Sequence, residues 1–341
     1  MKVTSKCLVL AQRPTGPSVI IGEHLILETA TIDLEASLKD KMFIVKTLEV
    51  SIDPYLSALL RVPTFPAAYK MNEVITGYSI GVIVRSNHPD FKINDYVYGL
   101  GKFAEYAVYD DTSAKAHGLL VRKVSAGLPF SRYVGAMGMA GLTAYSGLQL
   151  AELKSGETLF VSAATGAVGQ VVGQVAKIKG LRVIGSAGSQ AKIDLLHQFG
   201  FDGAINYKTD DMDTKLAELC PDGIDVYYDN VSGEILDSAL AKMNRFGRII
   251  CCGNMSLFSG PPVMKNLLSI VTKSLTIRGF VTYDYEHLDG PLVEELTQYL
   301  LDGRMKYSED IRQGIESFPK ALEDLLAGNT SGKVIIHLNN L

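Results

Sequence analysis

The chain has 341 residues, above the size at which a single hydrophobic core stops growing, so two domains are expected. Hydrophobic residues make up 47% and charged residues 21%, which excludes a disordered chain. The formal net charge is −4 and no basic stripe is present, so a nucleic-acid partner is not expected.

No apolar stretch reaches the roughly 18 residues of a membrane span. The opening MKVTSKCLVLAQRP lacks a signal peptide's apolar region and small-residue cleavage site, and the closing HLNNL matches no targeting signal. The cysteines stand at 7, 220, 251 and 252. They are too few for a disulfide framework and lack metal-ligand spacing. Cys251 and Cys252 read as buried thiols in a strand, and a reduced, cytoplasmic protein is expected.

In chain order, residues 1 to about 125 are β-rich. Runs such as FIVKTLEVSI (43–52), YSIGVIVR (78–85) and FAEYAVY (103–109) are separated by turn residues, Asp53-Pro54 and Asn87-His88-Pro89-Asp90 among them. Segment 133–150 is helix-like but interrupted by glycine. From 157 onward, apolar runs at 158–164, 181–187, 203–207, 224–231, 247–253 and 274–280 read as strands. Helical patterns lie between them, as at 167–179, with Val168, Val171, Val172, Val175, Ala176 and Ile178 on one face. Such alternation implies a parallel sheet covered by helices. Helices at 292–302 and 318–327 and a final strand KVIIHL (333–338) follow. KVIIHL needs a strand partner, so the tail is expected to return to the first domain. The expected division is 1–127 with 304–341, and 128–303.

The strand at 158–164 runs into Ala164-Thr165-Gly166-Ala167-Val168-Gly169 and then a helix. This is a dinucleotide fingerprint with alanine in place of its first glycine. Gly166 lets backbone approach a pyrophosphate, and Gly169 lets the helix pack close to the strand. The helix N-terminus offers free N–H groups to phosphate oxygens. An NAD site wants an acidic residue about 20 positions on. The second strand instead ends Gly185-Ser186-Ala187-Gly188-Ser189, with no acid until Asp194. Ser189 and Lys192 suit a 2′-phosphate, so NADP is favoured, although Lys192 also fits a solvated helix face.

A β-rich segment, a dinucleotide domain and a C-terminal return together resemble the medium-chain dehydrogenase/reductase superfamily. Zinc members carry an early Cys ligand and a Gly-His-Glu motif. The matching stretches here read SIDPYLS (51–57) and TGYSIG (76–81), so no metal is expected. SIDPYLS, GMAGLTAYSGL (138–148), VSAATGAVGQVVGQVAKIKG (161–180), INYKT (205–209), YYDNVSGE (227–234) and FGRIICCG (246–253) are together similar to the prostaglandin reductase, leukotriene B4 12-hydroxydehydrogenase and plant alkenal double-bond reductase family.

The resemblance implies an α/β protein, with a GroES-like β-rich catalytic domain and a Rossmann domain, a doubly wound parallel sheet. It implies NADPH-dependent reduction of the double bond of α,β-unsaturated aldehydes or ketones, in a homodimer that the strand SLTIRGF could join at the sheet edge. It places Lys192 and Tyr207 on the 2′-phosphate. Thr143, Gly166, Ala167, Val168, Gly169, Ser189, Asn230, Cys252 and Gly253 line the cofactor. Phe280 and Val281 meet its nicotinamide amide, and Asn329 makes a further contact. Bland readings stand beside these: a half-buried strand residue for Tyr207, a turn closure for Asn230 and a helix C-cap for Asn329.

Enone reduction also needs a donor for the oxygen that becomes an enolate. A phenol, a backbone N–H or the cofactor's ribose hydroxyl could serve. Tyr55, after Asp53-Pro54, is the candidate, with domain-interface packing as its alternative role. Tyr78 and Phe258 are candidate substrate contacts. Phe258 stands where many family members carry a tyrosine, and a phenylalanine cannot donate. Two other functions remain open, a zinc-free quinone reductase and a non-catalytic NADP-binding regulatory protein.

Overall fold

Strands β1 (Lys2–Leu10) and β2 (Leu25–Asp33) form an antiparallel pair. After them come β3 (Phe43–Ser51), α1 (Tyr55–Arg61), β4 (Thr76–Ser86), β5 (Tyr96–Lys102), β6 (Tyr106–Tyr109), α2 (Asp111–Ala116), β7 (Leu120–Val121) and α3 (Ser131–Val134). The α/β run is α4 (Met139–Ala151), β8 (Thr158–Val161), α5 (Gly169–Ile178), β9 (Arg182–Ala187), α6 (Gln190–Gln198), β10 (Gly203–Asn206), α7 (Met212–Leu219), β11 (Ile224–Asp229), α8 (Gly233–Lys242), β12 (Met243–Cys251), α9 (Leu268–Thr272), β13 (Thr276–Gly279) and α10 (Asp289–Leu301). The tail adds β14 (Glu309–Gln313), α11 (Phe318–Leu326) and β15 (Lys333–His337). This computed structural model describes residues 1–16, 18–65, 67–255 and 264–341.

The chain divides into two compact units, Met1–Gly138 with Glu309–Leu341, and Met139–Ser308. Both divisions fall further along the chain than the sequence pattern places them, at 127/128 and 303/304. The reason is α3, which packs on β3 and β4 and whose Ser131 and Arg132 bond Glu309, the first residue of the returning segment.

In the first unit a seven-stranded sheet runs β14-β15-β3-β4-β5-β7, with β6 also on β3. The tail strand β15 finds its antiparallel partner in β3, pairing Ile336 with Val50. Strand β3 is almost wholly buried because apolar clusters cover both its faces. Val50 lies in one with Leu8, Leu56, Leu60, Phe318 and Leu322, whereas Phe43 and Val45 lie in another with Ile83 and Tyr109. Each such side chain contributes about 2 kcal/mol by burial. The expected strand at 103–109 begins only at Tyr106. Phe103 instead anchors a turn, bonding Leu8 and Ile75 through its backbone.

In the second unit the sheet order is β10-β9-β8-β11-β12-β13, the 3-2-1-4-5-6 order of a doubly wound dinucleotide fold. Phe160, Ile184, Tyr227 and Ile249 pack with Leu216 of α7 and Leu240 of α8. The next residue along β11, Tyr228, points the other way onto α4, where a Cβ at Gly147 would come within 2.4 Å of its phenol oxygen. Period-2 alternation thus feeds a helical layer on each face.

Candidate functional site

The second unit gathers its candidate residues at the C-terminal ends of the parallel strands, where doubly wound sheets bind ligands. After β8 the backbone turns through Ala163 at φ +48 into Thr165-Gly166-Ala167-Val168, and α5 begins at Gly169. A Cβ on Gly169 would lie 2.5 Å from the carbonyl oxygen of Ala163 and 2.7 Å from Cα of Ala164. Only glycine lets α5 start this close to β8. At Gly166 the only close atom would be the Ala163 carbonyl oxygen at 3.2 Å, a tight contact but a milder one than at Gly169. The carbonyl of Ala167 accepts from the Tyr307 hydroxyl at 3.3 Å. The N–H groups of Gln170, Val171 and Val172 bond back to the carbonyls of Gly166 and Val168, and the positive end of the α5 dipole faces the turn.

Beside this turn, Ser189 caps α6 by accepting from the Lys192 backbone N–H. Lys192 is half-buried, and its ammonium pKa is lowered by burial and by Lys208 close by. A nearby like charge and burial both disfavour the Lys192 ammonium, and an anion bound there would relieve both. Asp194, the first acid after β9, is engaged instead with Gln190 at 2.8 Å. Tyr207 follows β10, is 43% exposed, and stands over Gly188, where a Cβ would come within 2.7 Å of its phenol oxygen. Glycine at 188 therefore makes room for the phenol next to Ser189. These groups fit a 2′-phosphate, and the α5 turn fits a pyrophosphate.

A buried polar network supports the rest. Asp229, 1% exposed at the end of β11, accepts from the Tyr227 hydroxyl at 2.7 Å and from the N–H groups of Val231 and Ser232. Burial raises its carboxyl pKa against these bonds. Its carbonyl accepts from the N–H groups of both Cys252 and Gly253. The Asn230 amide donates to the Ser162 carbonyl at 2.8 Å, the turn-closing role that its sequence context also allowed. Thr143 on α4 meets Thr282 at 2.8 Å, hydroxyl to hydroxyl, which ties it to the Phe280-Val281 segment. Its carbonyl accepts from Tyr228 at 2.7 Å.

Sequence reasoning missed Ser162, Asp229, Thr282 and Lys208. The only signal for Asp229 was a carboxylate closing an apolar strand. The expectation of two buried thiols within a strand is corrected. Both Cys251 and Cys252 are half-buried, and only Cys251 lies within β12; Cys252 is just past its end, with its N–H on the carbonyl of Asp229, the register partner of Cys251. Burial pushes the two thiols up to about 11 and about 12, so neither is a nucleophile at neutral pH. Among the described residues, no three His, Cys, Asp or Glu side chains come together as a metal would require.

The other candidates lie in the first unit. Tyr55 is the first residue of α1, half-buried against the cluster of Leu56, Leu60 and Phe318. Tyr78 stacks on Tyr98 at 5.6 Å. Asn329 is exposed. It is not the C-cap of α11, which is Ala327. Gly328 takes the left-handed position at φ +71, and the Asn329 N–H closes the motif on the Asp324 carbonyl. Phe258, with Leu257, lies outside the described residues.

A doubly wound sheet with a glycine turn after its first strand, and no acid after its second until Asp194, fits an NADP-binding oxidoreductase. Residues 167–298 match the family described as zinc-binding dehydrogenase, and residues 6–116 the one described as N-terminal domain of oxidoreductase. The chain is 38% identical to the NADP(+)-dependent 2-alkenal reductase of Nicotiana tabacum, over 98% of each chain. It is 37% identical to the (+)-pulegone reductase of Mentha piperita, over 92% of each. The crystal structure of CurA from Vibrio vulnificus in complex with NADPH aligns with a TM-score of 0.87 at 32% identity, covering 98% of this chain and 100% of that one. This protein belongs to the medium-chain dehydrogenase/reductase superfamily, among the alkenal and prostaglandin reductases.

Proposed function

We propose that this protein reduces the carbon–carbon double bond of α,β-unsaturated aldehydes and ketones with NADPH. The observation that carries the reading is the glycine turn between β8 and α5, followed by a second strand with no acid until Asp194, in a chain similar along nearly its whole length to a 2-alkenal reductase. Bound NADPH supplies the hydride that goes to the β-carbon. Lys192, Lys208, Ser189 and Tyr207 hold the 2′-phosphate, and the N-terminus of α5 receives the pyrophosphate. The segment of Thr143, Phe280 and Val281 serves the nicotinamide end, and Asn329 adds a contact. Asp229 keeps the Asn230 and Cys252-Gly253 turns in shape. Tyr55 donates a hydrogen bond to the carbonyl oxygen as it becomes an enolate oxygen, and the α-carbon then takes a proton from water.

The test is NADPH oxidation with a 2-alkenal, an aryl enone and a quinone in parallel, with NADH as control. Consumption with an enone, a saturated product and a preference for NADPH are expected. Turnover of the quinone alone would make the protein a quinone reductase. NADPH binding without any turnover would make it a regulatory binding protein.

We further infer a homodimer joined at β13. This strand is the sheet edge and is exposed along its length, and Leu267, Leu268, Val271, Ile277, Val281 and Tyr283 around it are exposed apolar side chains. Such an edge is normally covered. No helix among the described residues is long and apolar enough to cross a membrane. The four free cysteines support a reducing, cytoplasmic setting.

A further inference from the structure

The first unit buries an ion pair that the reaction, as described, does not use. Lys333, the first residue of β15, is 1% exposed. Its ammonium donates to Oδ1 of Asp53 at 2.6 Å and to the carbonyl of Ile52 at 2.7 Å. The other oxygen of Asp53 accepts from the Ser51 hydroxyl. Burial lowers the ammonium pKa, and the Asp53 carboxylate works against that. Glu309 adds attraction from the neighbouring strand, where it is itself paired with Arg132.

Stability gives no reason for such a pair. An apolar pair of similar volume commonly holds a core as well, because two charges taken from water recover little more than they lose. The strands are already joined without it, through the Ile52 N–H to the Val334 carbonyl and the pairing of Ile335 with Ser51. The pair's position is more informative. Ile52 and Asp53 are where the chain leaves β3 and bends into α1. The Asp53 carbonyl accepts the Leu56 N–H and so begins the first helical turn. Tyr55 lies within that turn. One ammonium therefore grips both the carbonyl before the bend and the side chain at the bend.

We propose that Lys333 and Asp53 are positioning residues, holding the Asp53-Pro54-Tyr55 turn so that the Tyr55 phenol is presented in one orientation to the substrate oxygen. This rests on Tyr55 being the donor. Neither residue touches the reacting atoms, and both act through the tyrosine.

The test is a double-mutant cycle in the full chain. Asp53→Asn with Lys333→Met removes both charges together, so no lone charge is left buried. Ser51→Ala, which removes only the hydroxyl on the far carboxylate oxygen, is the milder variant should the pair variant fail to fold. Each is made with and without Tyr55→Phe. The readouts are kcat and KM for a 2-alkenal, and the NADPH Kd from cofactor fluorescence.

The pair variant should lower kcat by about tenfold with KM and NADPH Kd little changed, and Tyr55→Phe should then cost about threefold or less instead of about tenfold or more. Ser51→Ala should show a smaller fall with the same sub-additivity. Additive losses in the pair variant, or in Ser51→Ala if only that folds, would overturn the proposal, as would a wild-type kcat in the pair variant, while leaving Tyr55 as the donor. A wild-type rate in Tyr55→Phe alone would overturn the donor reading, and this proposal with it.

Discussion

At the scale of single residues, charge and hydrogen bonding separate the roles. Lys192→Ala should raise the KM for NADPH by about tenfold or more and leave that for NADH nearly unchanged, since a charge-assisted bond to phosphate is lost only with NADPH. Steady-state kinetics with both cofactors check this, and an equal loss for the two would remove Lys192 from the 2′-phosphate. Tyr55→Phe should lower kcat for an enone by about tenfold or more with NADPH binding unchanged. The thiols give a pH expectation. With Cys251 and Cys252 pushed up to about 11 and about 12, the thiolate fraction is small at neutral pH and grows only as pH rises towards those values. Alkylation near neutral pH should therefore leave both unlabelled by mass spectrometry and activity intact. Gly166, Ser189 and Lys192 were picked out in the sequence because each lies within a few residues of a strand end with a recognisable turn, whereas Tyr207 came from the family resemblance. Ser162 and Thr282 were not. Their value lies in bonds to Asn230 and Thr143, far off in sequence, which no local pattern records.

At the scale of elements, the two glycines of the turn should part company. Gly169→Ala drives a Cβ to 2.5 Å from the Ala163 carbonyl oxygen, so it should cost about 1–3 kcal/mol of stability as well as cofactor affinity. Gly166→Ala meets its nearest atom at 3.2 Å, so it should spare most of the stability and weaken NADPH. Thermal unfolding with and without NADPH distinguishes the two, and equal destabilisation would contradict the packing role assigned to Gly169. Helices and strands of the second unit were readable because buried parallel strands are short apolar runs and their helices carry a 3.6-residue stripe. Strands β2 and β14 were hidden for the opposite reason. LETATI in β2 and EDIRQ in β14 are largely polar or exposed, and their pairing is set by β1 and β15. The helical stretch at 133–150 proved to be two helices, α3 and α4, with Gly135 and Gly138 between them.

At the scale of the whole molecule, the return of the tail was readable from one unpartnered apolar strand, and its partner β3 follows from antiparallel register with Val50. The points of division were not, because α3 is tied to Glu309 by side chains of a polar segment. If β13 joins two copies, Val271→Asp with Ile277→Asp should convert a dimer into a monomer by light scattering, and a wild-type monomer would contradict the interface. The central claim is double-bond reduction, and product analysis tests it most directly. A 2-alkenal is turned over with NADPH carrying deuterium at the transferable position, and the product is read by mass spectrometry and NMR. The expected product is the saturated aldehyde with one deuterium on the β-carbon. An allylic alcohol with deuterium on the former carbonyl carbon would contradict it.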